Sequence, residues 1–104
     1  METKTEYKIV GTWTPWGKAQ YRYKYTRGVN FYGTAAHGGF KVSKTLLKKM
    51  PHHLQNPDGW YEEDCEWCKV ALAFPEIFPQ SSRDAAKSTW EKWFNDNGTY
   101  KRFV

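Results

Sequence analysis

Residues 21–26 read YRYKYT, in which an aromatic ring and a polar side chain alternate at every position. Because successive side chains of a β-strand point to opposite faces, this alternation predicts a strand with rings on one face and cations on the other. Residues 7–13 and 29–35 also have strand composition, and TPWG at 14–17 is typical of a turn. The first 42 residues are therefore predicted to form three or four antiparallel strands.

The spacing of apolar residues becomes helical after residue 42. Ser43 is the predicted N-cap of a short helix that Pro51 ends. A second helix is predicted over residues 60–74, ended by Pro75. Its apolar stripe would consist of Tyr61, Cys65, Cys68 and Leu72.

A third helix is predicted from a capping box, formed by Ser81 and Asp84, through Phe94. Strands followed by helices predict an α+β fold: a small antiparallel β-sheet formed by the N-terminal half, with two or three helices packed on one face. At 104 residues the chain is expected to form a single domain over 1–104.

Net charge divides the chain into two halves. Residues 1–55 carry ten Lys or Arg and two Glu, a net charge of +8, whereas residues 56–104 carry six Lys or Arg and nine Asp or Glu, a net charge of −3. The halves either neutralise each other in the fold or present a bipolar surface. No apolar run resembles a signal peptide or reaches the length of a membrane span, so we expect a cytoplasmic protein without membrane contact.

Acidic residues cluster in the stretch GWYEEDCEW at 59–67. Helical spacing would place Asp64 at the edge of the buried surface, where a carboxylate needs a partner. His37, next to two glycines in AAHGGF, is the partner we expect. The pair is either a hydrogen-bonded tie between sheet and helix or, together with Glu63, the catalytic site of a small hydrolase-like enzyme.

A zinc site is another interpretation of the same region. His52, His53, Cys65 and Cys68 are ligand types that zinc prefers. Adjacent histidines project in different directions, however, and cysteines on the apolar face of a helix are ordinary buried side chains. The sequence therefore predicts no metal and no cofactor, and it contains no P-loop, GxGxxG, HExxH or GxSxG motif.

Nucleic-acid binding is a further hypothesis, because the first half of the chain combines cations with rings, as single-strand-binding surfaces do. The candidate phosphate contacts are Arg22, Lys24, Arg27 and Lys41. The alternation in YRYKYT weakens the hypothesis, since rings and cations of that strand would lie on opposite faces.

Three segments resemble the pattern of a small family of uncharacterised domains from bacteria, plasmids and phages: TPWGKAQ at 14–20, GTAAHGGFKVS at 33–43 and GWYEEDCEWCKVALAFPEIFP at 59–79. The resemblance pairs the HGG segment with the acidic segment, which is compatible with a shared site of His37, Glu62, Glu63 and Asp64. It also implies a phage or mobile-element setting, and it carries no established activity.

The leading hypothesis is a phage or mobile-element accessory protein that binds a host protein or protein complex, including one that inhibits a host defence system. Trp and Tyr side chains are the usual anchors of such interfaces. The predicted anchors are Trp16, Trp60 and Trp67, with Glu62 and Glu66 together on the outer face of the predicted helix. An enzyme that uses His37 and a nucleic-acid-binding module are the alternatives.

Overall fold

A five-stranded antiparallel sheet forms the centre of the fold. The structure is a computed structural model that describes residues 5–8 and 12–102, with side chains for residues 12–102. In spatial order, the strands of this sheet are β1 (Thr5–Lys8), β4 (Tyr21–Thr26), β5 (Val29–Gly33), β6 (Gly38–Val42) and β7 (Trp60–Glu62). A separate hairpin at the predicted TPWG turn consists of β2 (Trp13–Thr14) and β3 (Gly17–Lys18). Residues 9–11 of the strand predicted over 7–13 lie outside the described residues.

Three α-helices complete the described part of the chain: α1 (Lys44–Leu47), α2 (Trp67–Ala73) and α3 (Gln80–Trp93). Short 3₁₀ turns cover His52–Leu54 and Pro75–Ile77. The helices and the sheet share one buried core, in which side chains of β5, β6 and β7 pack with side chains of α2 and α3. The predicted α+β class, with an antiparallel sheet in the N-terminal half, is confirmed.

The starts of two helices show where the capping predictions succeed and fail. Ser43 caps α1 as predicted, because its Oγ accepts a hydrogen bond from the Leu46 N–H at 3.3 Å. The capping box predicted at Ser81 is wrong, since α3 begins after Pro79 without a side-chain cap. Proline has no N–H to satisfy and its φ is already near the helical value, so it can precede a helix directly.

Aromatic rings fill the core between the sheet and the helices. Phe40 lies at its centre, with ring centroids 4.9 Å from Tyr25, 5.1 Å from Phe31 and 5.7 Å from Phe78. Edge-to-face contacts of this kind stabilise ring pairs beyond the area that they bury. A chain with nineteen rings and few Leu and Ile therefore builds its core from rings on both layers.

The helix predicted over 60–74 is wrong in its first half. Residues 60–62 form strand β7 on the edge of the sheet, and α2 begins only at Trp67. A turn precedes β7, in which the Gly59 N–H donates to the Asn56 carbonyl at 2.8 Å and Gly59 adopts a φ of +75°. The Gly59 carbonyl then accepts from the Val42 N–H at 2.9 Å, which aligns the following residues with β6.

Because residues 60–62 form a strand and not a helix, their side chains alternate between the two faces of the sheet. Lys41 pairs with Trp60 and Gly39 pairs with Glu62 across β6 and β7. Because paired residues share a face and neighbours alternate, Trp60 and Glu62 lie on the face opposite the helices, whereas Tyr61 faces the core. We call the face that carries Trp60 and Glu62 the outer face.

Candidate functional site

Trp16, at the tip of the β2–β3 hairpin, folds over the outer face of the sheet. Its ring rests on Gly39, where an added Cβ would lie closer than 3.0 Å both to the Trp16 ring and to the Tyr61 carbonyl oxygen. The Trp16 backbone N–H donates to Thr14 Oγ1 at 3.1 Å, which fixes the turn. Gly39 of the HGG segment therefore provides the space that the tryptophan of TPWG occupies.

Trp60 forms the next wall. Its ring meets Trp16 edge to face, with centroids 5.5 Å apart and planes at 89°, and lies 5.5 Å from Tyr32. The Trp60 N–H donates to Asp58 Oδ1 at 3.0 Å, so the turn before β7 orients the ring. Lys41 Nζ lies 4.9 Å from the Trp60 ring centroid, within the range of a cation–π interaction.

Glu62 holds the turn that connects β7 to α2. Its Oε2 accepts from the Asp64 N–H at 2.7 Å, and its Oε1 accepts from the N–H groups of Cys65 and Glu66. These donors precede the helix and would otherwise have no partner. The Glu62 carboxylate therefore stabilises the turn that leads into α2, an arrangement that helical periodicity did not reveal.

Glu66 belongs to a buried ion pair. Its Oε1 lies 3.0 Å from Lys69 Nζ, and the two side chains are only 13% and 5% exposed. Asn56 bridges them, since its Nδ2 donates to Glu66 Oε1 at 2.9 Å and its Oδ1 accepts from Lys69 Nζ at 3.1 Å. The Lys69 Nζ also lies 4.6 Å from the centroid of the buried Phe94 ring.

Tyr100 closes the site from the C-terminal segment. Its ring packs 4.6 Å from Phe94, with which it also forms a backbone bridge. Desolvation raises the pKa of Tyr100, as do a side-chain hydrogen bond with Glu66 and the charge of Glu62. Tyr100 therefore adds a ring to the site next to the Glu66 carboxylate, which pairs with Lys69.

Together these side chains enclose a cleft of about 590 Å³, which we call the outer cleft. It is lined by Pro15, Trp16, Asn56, Pro57, Asp58, Trp60, Glu62, Glu66 and Tyr100. Four of the five residues predicted as partner contacts line it: Trp16, Trp60, Glu62 and Glu66. The fifth, Trp67, lines a cavity of about 310 Å³ on the helix side of the sheet, together with Glu63 and core rings.

His37 and Asp64, two of the predicted enzyme residues, do not form the predicted pair. The Glu63 N–H donates to the Gly38 carbonyl at 2.9 Å, and the Gly38 N–H donates to Glu63 Oε2 at 3.1 Å. The tie between the HGG and acidic segments is thus made by Glu63 and a backbone amide. Within residues 12–102 the side chains of His37 and Asp64 share no hydrogen bond or ion pair, and both residues are exposed. The prediction that Asp64 lies at the edge of the buried surface is wrong, because it assumed a helix over residues 60–74.

The predicted nucleic-acid contacts lie on the outer face and at one end of it. Lys24, Asn30, Lys41 and Trp60 form a continuous row of paired residues across four strands. Arg22, paired with Tyr32, lies in the neighbouring row. Arg27 is exposed in the turn between β4 and β5. Rings from β5 and β7 thus join the cations on one face, an arrangement that the alternation within β4 alone could not reveal.

The histidines and cysteines considered for zinc occupy different environments. The His53 ring packs 5.6 Å from Trp90, and Cys68 is fully buried. Burial raises the pKa of Cys68 to about 12 and also raises the pKa of Cys65. Among the described residues, no three His, Cys, Asp or Glu side chains are grouped so that they could hold a metal ion.

Sequence reasoning missed several residues of the site. Asn56 connects the most groups: besides Glu66 and Lys69, its side chain donates to the Trp60 carbonyl at 2.9 Å, and its backbone N–H donates to the Tyr61 hydroxyl at 2.8 Å. A signal was available, since Asn-Pro-Asp-Gly predicts a tight turn immediately before a strand. No local signal identifies Tyr100 as part of the site, because the other residues that line the cleft lie far away from it in the sequence.

The fold and the site define a small α+β domain whose outer face carries a cleft of rings and carboxylates. Residues 10–103 match the family described as "Domain of unknown function (DUF7007)", and the chain belongs to that family. No curated protein and no solved structure matches the chain. Across the described residues, no helix has the length and apolar character needed to cross a membrane.

Proposed function

We propose that this chain is a binding protein without catalytic activity, and that the outer cleft is where it contacts a protein partner. The observation that carries the proposal is the convergence of three tryptophan- or tyrosine-bearing segments on one cleft that has no occupant within the described chain. Trp16, Trp60 and Tyr100 come from the hairpin, the edge strand and the C-terminal segment, respectively. Trp and Tyr in a pocket, surrounded by polar side chains, are typical of the residues that dominate binding energy in protein interfaces.

The sequence resemblance implies a phage or mobile-element setting, which indicates the class of partner to expect. In that setting the partner is a host protein or protein complex in the cytoplasm, such as a component of a defence system. The supporting physical feature is an outer face with both signs of charge. Lys24 and Lys41 lie in one row, and the next row has Arg22 at one end and Glu62 at the other. A surface with both signs of charge favours a partner with a complementary pattern and fixes its orientation.

Nucleic-acid binding is the second candidate, because Lys24 and Lys41 share the outer face with the rings of Tyr32 and Trp60. The carboxylates of the adjacent cleft weigh against it, since they would repel a phosphate backbone that follows the face. The two candidates differ in salt dependence: retention on single-stranded DNA or RNA would fall steeply with added salt.

Affinity capture tests the proposal. The tagged chain and two variants, Trp16→Ala and Trp13→Ala, are incubated with nuclease-treated lysate of the natural host cell, and bound proteins are identified by mass spectrometry. Trp13 is a matched control, because it lies in the same hairpin, is 70% exposed and does not line the cleft. We expect a specific protein to be recovered with the parent chain and Trp13→Ala and lost with Trp16→Ala. Equal recovery with all three proteins, or recovery of no specific protein with the parent chain, would contradict the proposal.

A further inference from the structure

We propose that the outer cleft recognises its partner through a basic side chain, an arginine, that lies beside the rings of Trp16 and Trp60 and pairs with Asp58. This inference rests on the proposed function, since it names the chemistry of the partner at the same site. It follows from the charge of the cleft, from the hydrogen-bonding capacity left on each carboxylate and from the geometry of the rings.

The cleft carries more negative than positive charge. Three of its lining residues are carboxylates: Asp58, Glu62 and Glu66. Lys69 pairs with Glu66 at 3.0 Å, and Lys41 Nζ is a second cation beside the cleft, since it donates to the Asp58 backbone carbonyl at 2.7 Å. Within residues 12–102, Asp58 and Glu62 have no ion-pair partner. A carboxylate of a partner would be repelled here, and a purely apolar side chain would remove water from these charges without replacing its hydrogen bonds.

The three carboxylates differ in what they can still accept. Glu62 uses both oxygens for three backbone N–H groups, and Glu66, whose side chain is only 13% exposed, accepts from Asn56 and Lys69 through Oε1. Asp58 uses Oδ1 for the Trp60 N–H, whereas its Oδ2 accepts no hydrogen bond from any residue in 12–102. A carboxylate offers about four acceptor positions. Asp58, which is exposed, is therefore the carboxylate that can accept a donor from outside.

The rings provide the second half of the recognition. Trp16 and Trp60 stand at 89° to each other, so they form two walls of a corner. The Trp60 ring already holds one cation of the chain itself, since Lys41 Nζ lies 4.9 Å from its centroid. A planar guanidinium can stack on a ring while its N–H groups point in the ring plane toward a carboxylate, whereas an ammonium is compact and strongly hydrated. These properties favour arginine over lysine.

A selection from random peptides tests this inference. A display library of unbiased 12-residue peptides is selected on the full chain, and each enriched clone is retested on Trp16→Ala and Trp13→Ala. Clones that bind the chain and Trp13→Ala but not Trp16→Ala are cleft-dependent. We expect these clones to share an arginine at one aligned position.

Two matched comparisons then measure the contribution of charge with a synthetic cleft-dependent peptide. Replacement of its shared arginine by citrulline, a neutral isostere, should weaken binding about five-fold or more, as expected for the loss of a partly exposed ion pair together with a cation–π contact. Asp58→Asn keeps the oxygen that accepts the Trp60 N–H and should weaken binding about two- to five-fold. Asp84→Asn makes the same charge change on an exposed position of α3 and should leave the affinity unchanged.

The outcomes separate this inference from the proposed function. If cleft-dependent clones share an apolar or acidic residue and no basic one, the cleft binds a partner but the inference is wrong. A shared lysine would overturn the choice of arginine. Equal effects of Asp58→Asn and Asp84→Asn would also contradict the pairing with Asp58. If enriched clones bind all variants equally, the proposed function itself fails.

Discussion

Replacement of Lys69 by methionine tests whether the buried ion pair with Glu66 stabilises the outer cleft. Lys69 is 4% exposed, and its Nζ lies 3.0 Å from Glu66 Oε1, 3.1 Å from Asn56 Oδ1 and 4.6 Å from the centroid of the Phe94 ring. Methionine preserves most of the side-chain volume, so the packing loss is small. What remains is a nearly buried carboxylate without its cation.

The expected cost follows from that unpaired charge. Removal of one partner of a buried ion pair typically destabilises a protein by about 3–5 kcal/mol, because the other charge stays buried. For a domain of this size, such a change should lower the midpoint of urea unfolding by about 2 M. Lys87→Met, at an exposed position of α3, is the control and should change the free energy of unfolding by less than about 0.5 kcal/mol.

The double variant Lys69→Met with Glu66→Gln separates charge from packing. Glutamine keeps an acceptor oxygen for Asn56 but carries no charge, so the double variant should recover about half or more of the lost stability. Equilibrium unfolding in urea, followed by tryptophan fluorescence and circular dichroism, measures all four proteins. If Lys69→Met lies within about 1 kcal/mol of the parent chain, or if the double variant is no more stable than the single one, the buried ion pair does not support the cleft.

Three further predictions concern the cleft and its surroundings. Gly39→Ala should displace the Trp16 ring and cost about 1–3 kcal/mol, and a red shift of tryptophan emission would report the exposed ring, whereas unchanged emission would contradict the contact. Tyr61→Phe should cost about 1–3 kcal/mol at neutral pH, because the buried hydroxyl bonds two backbone groups. Burial raises the pKa of Tyr61 from 10.0 to about 12, so the stability that its protonated hydroxyl provides is present below pH 10 and is lost as pH rises through 12. The deficit of Tyr61→Phe should therefore narrow over that range in unfolding measurements, and a deficit that is constant with pH would refute the assignment. His37→Ala should change neither stability by more than about 0.5 kcal/mol nor partner capture, whereas loss of capture would place His37 in the site.

The fold class can be predicted from the sequence because the alternation typical of a strand and the apolar spacing typical of a helix are both clear. The strict alternation of YRYKYT becomes β4, and the C-terminal half of the predicted helix becomes α2, in which Cys68 of the predicted stripe is buried together with Lys69, Val70 and Ala71. The error over residues 60–66 has a physical cause: the stripe from Tyr61 to Leu72 fits a helix, but the turn ending at Gly59 and pairing with β6 place residues 60–62 in a strand. Three residues of edge strand are too few to show their own periodicity.

The site was only partly predictable for a related reason. Trp16, Trp60, Glu62 and Glu66 could be named from residue type, since tryptophans and clustered acids are unusual in so short a chain. These four residues lie together because Gly39 has no side chain and leaves space for the Trp16 ring, and because segments distant in the sequence contact each other. The same topology replaces the predicted pairing of His37 with Asp64 by a bond from the Gly38 N–H to Glu63, because Glu63 follows β7 directly beside Gly38, whereas Asp64 lies farther along the turn.

Site-specific photo-crosslinking tests the central claim, that the outer cleft is the surface that contacts a protein partner. A benzophenone amino acid is placed at Pro57, on the exposed rim of the cleft, and in a second protein at Ser88, on an exposed position of α3. Both proteins are irradiated in the lysate used for capture, and products are identified by mass spectrometry. If the outer cleft is the binding surface, we expect a single partner to be crosslinked from Pro57 and none from Ser88. Crosslinking of that partner from Ser88 alone, or the absence of any protein product from Pro57, would contradict it.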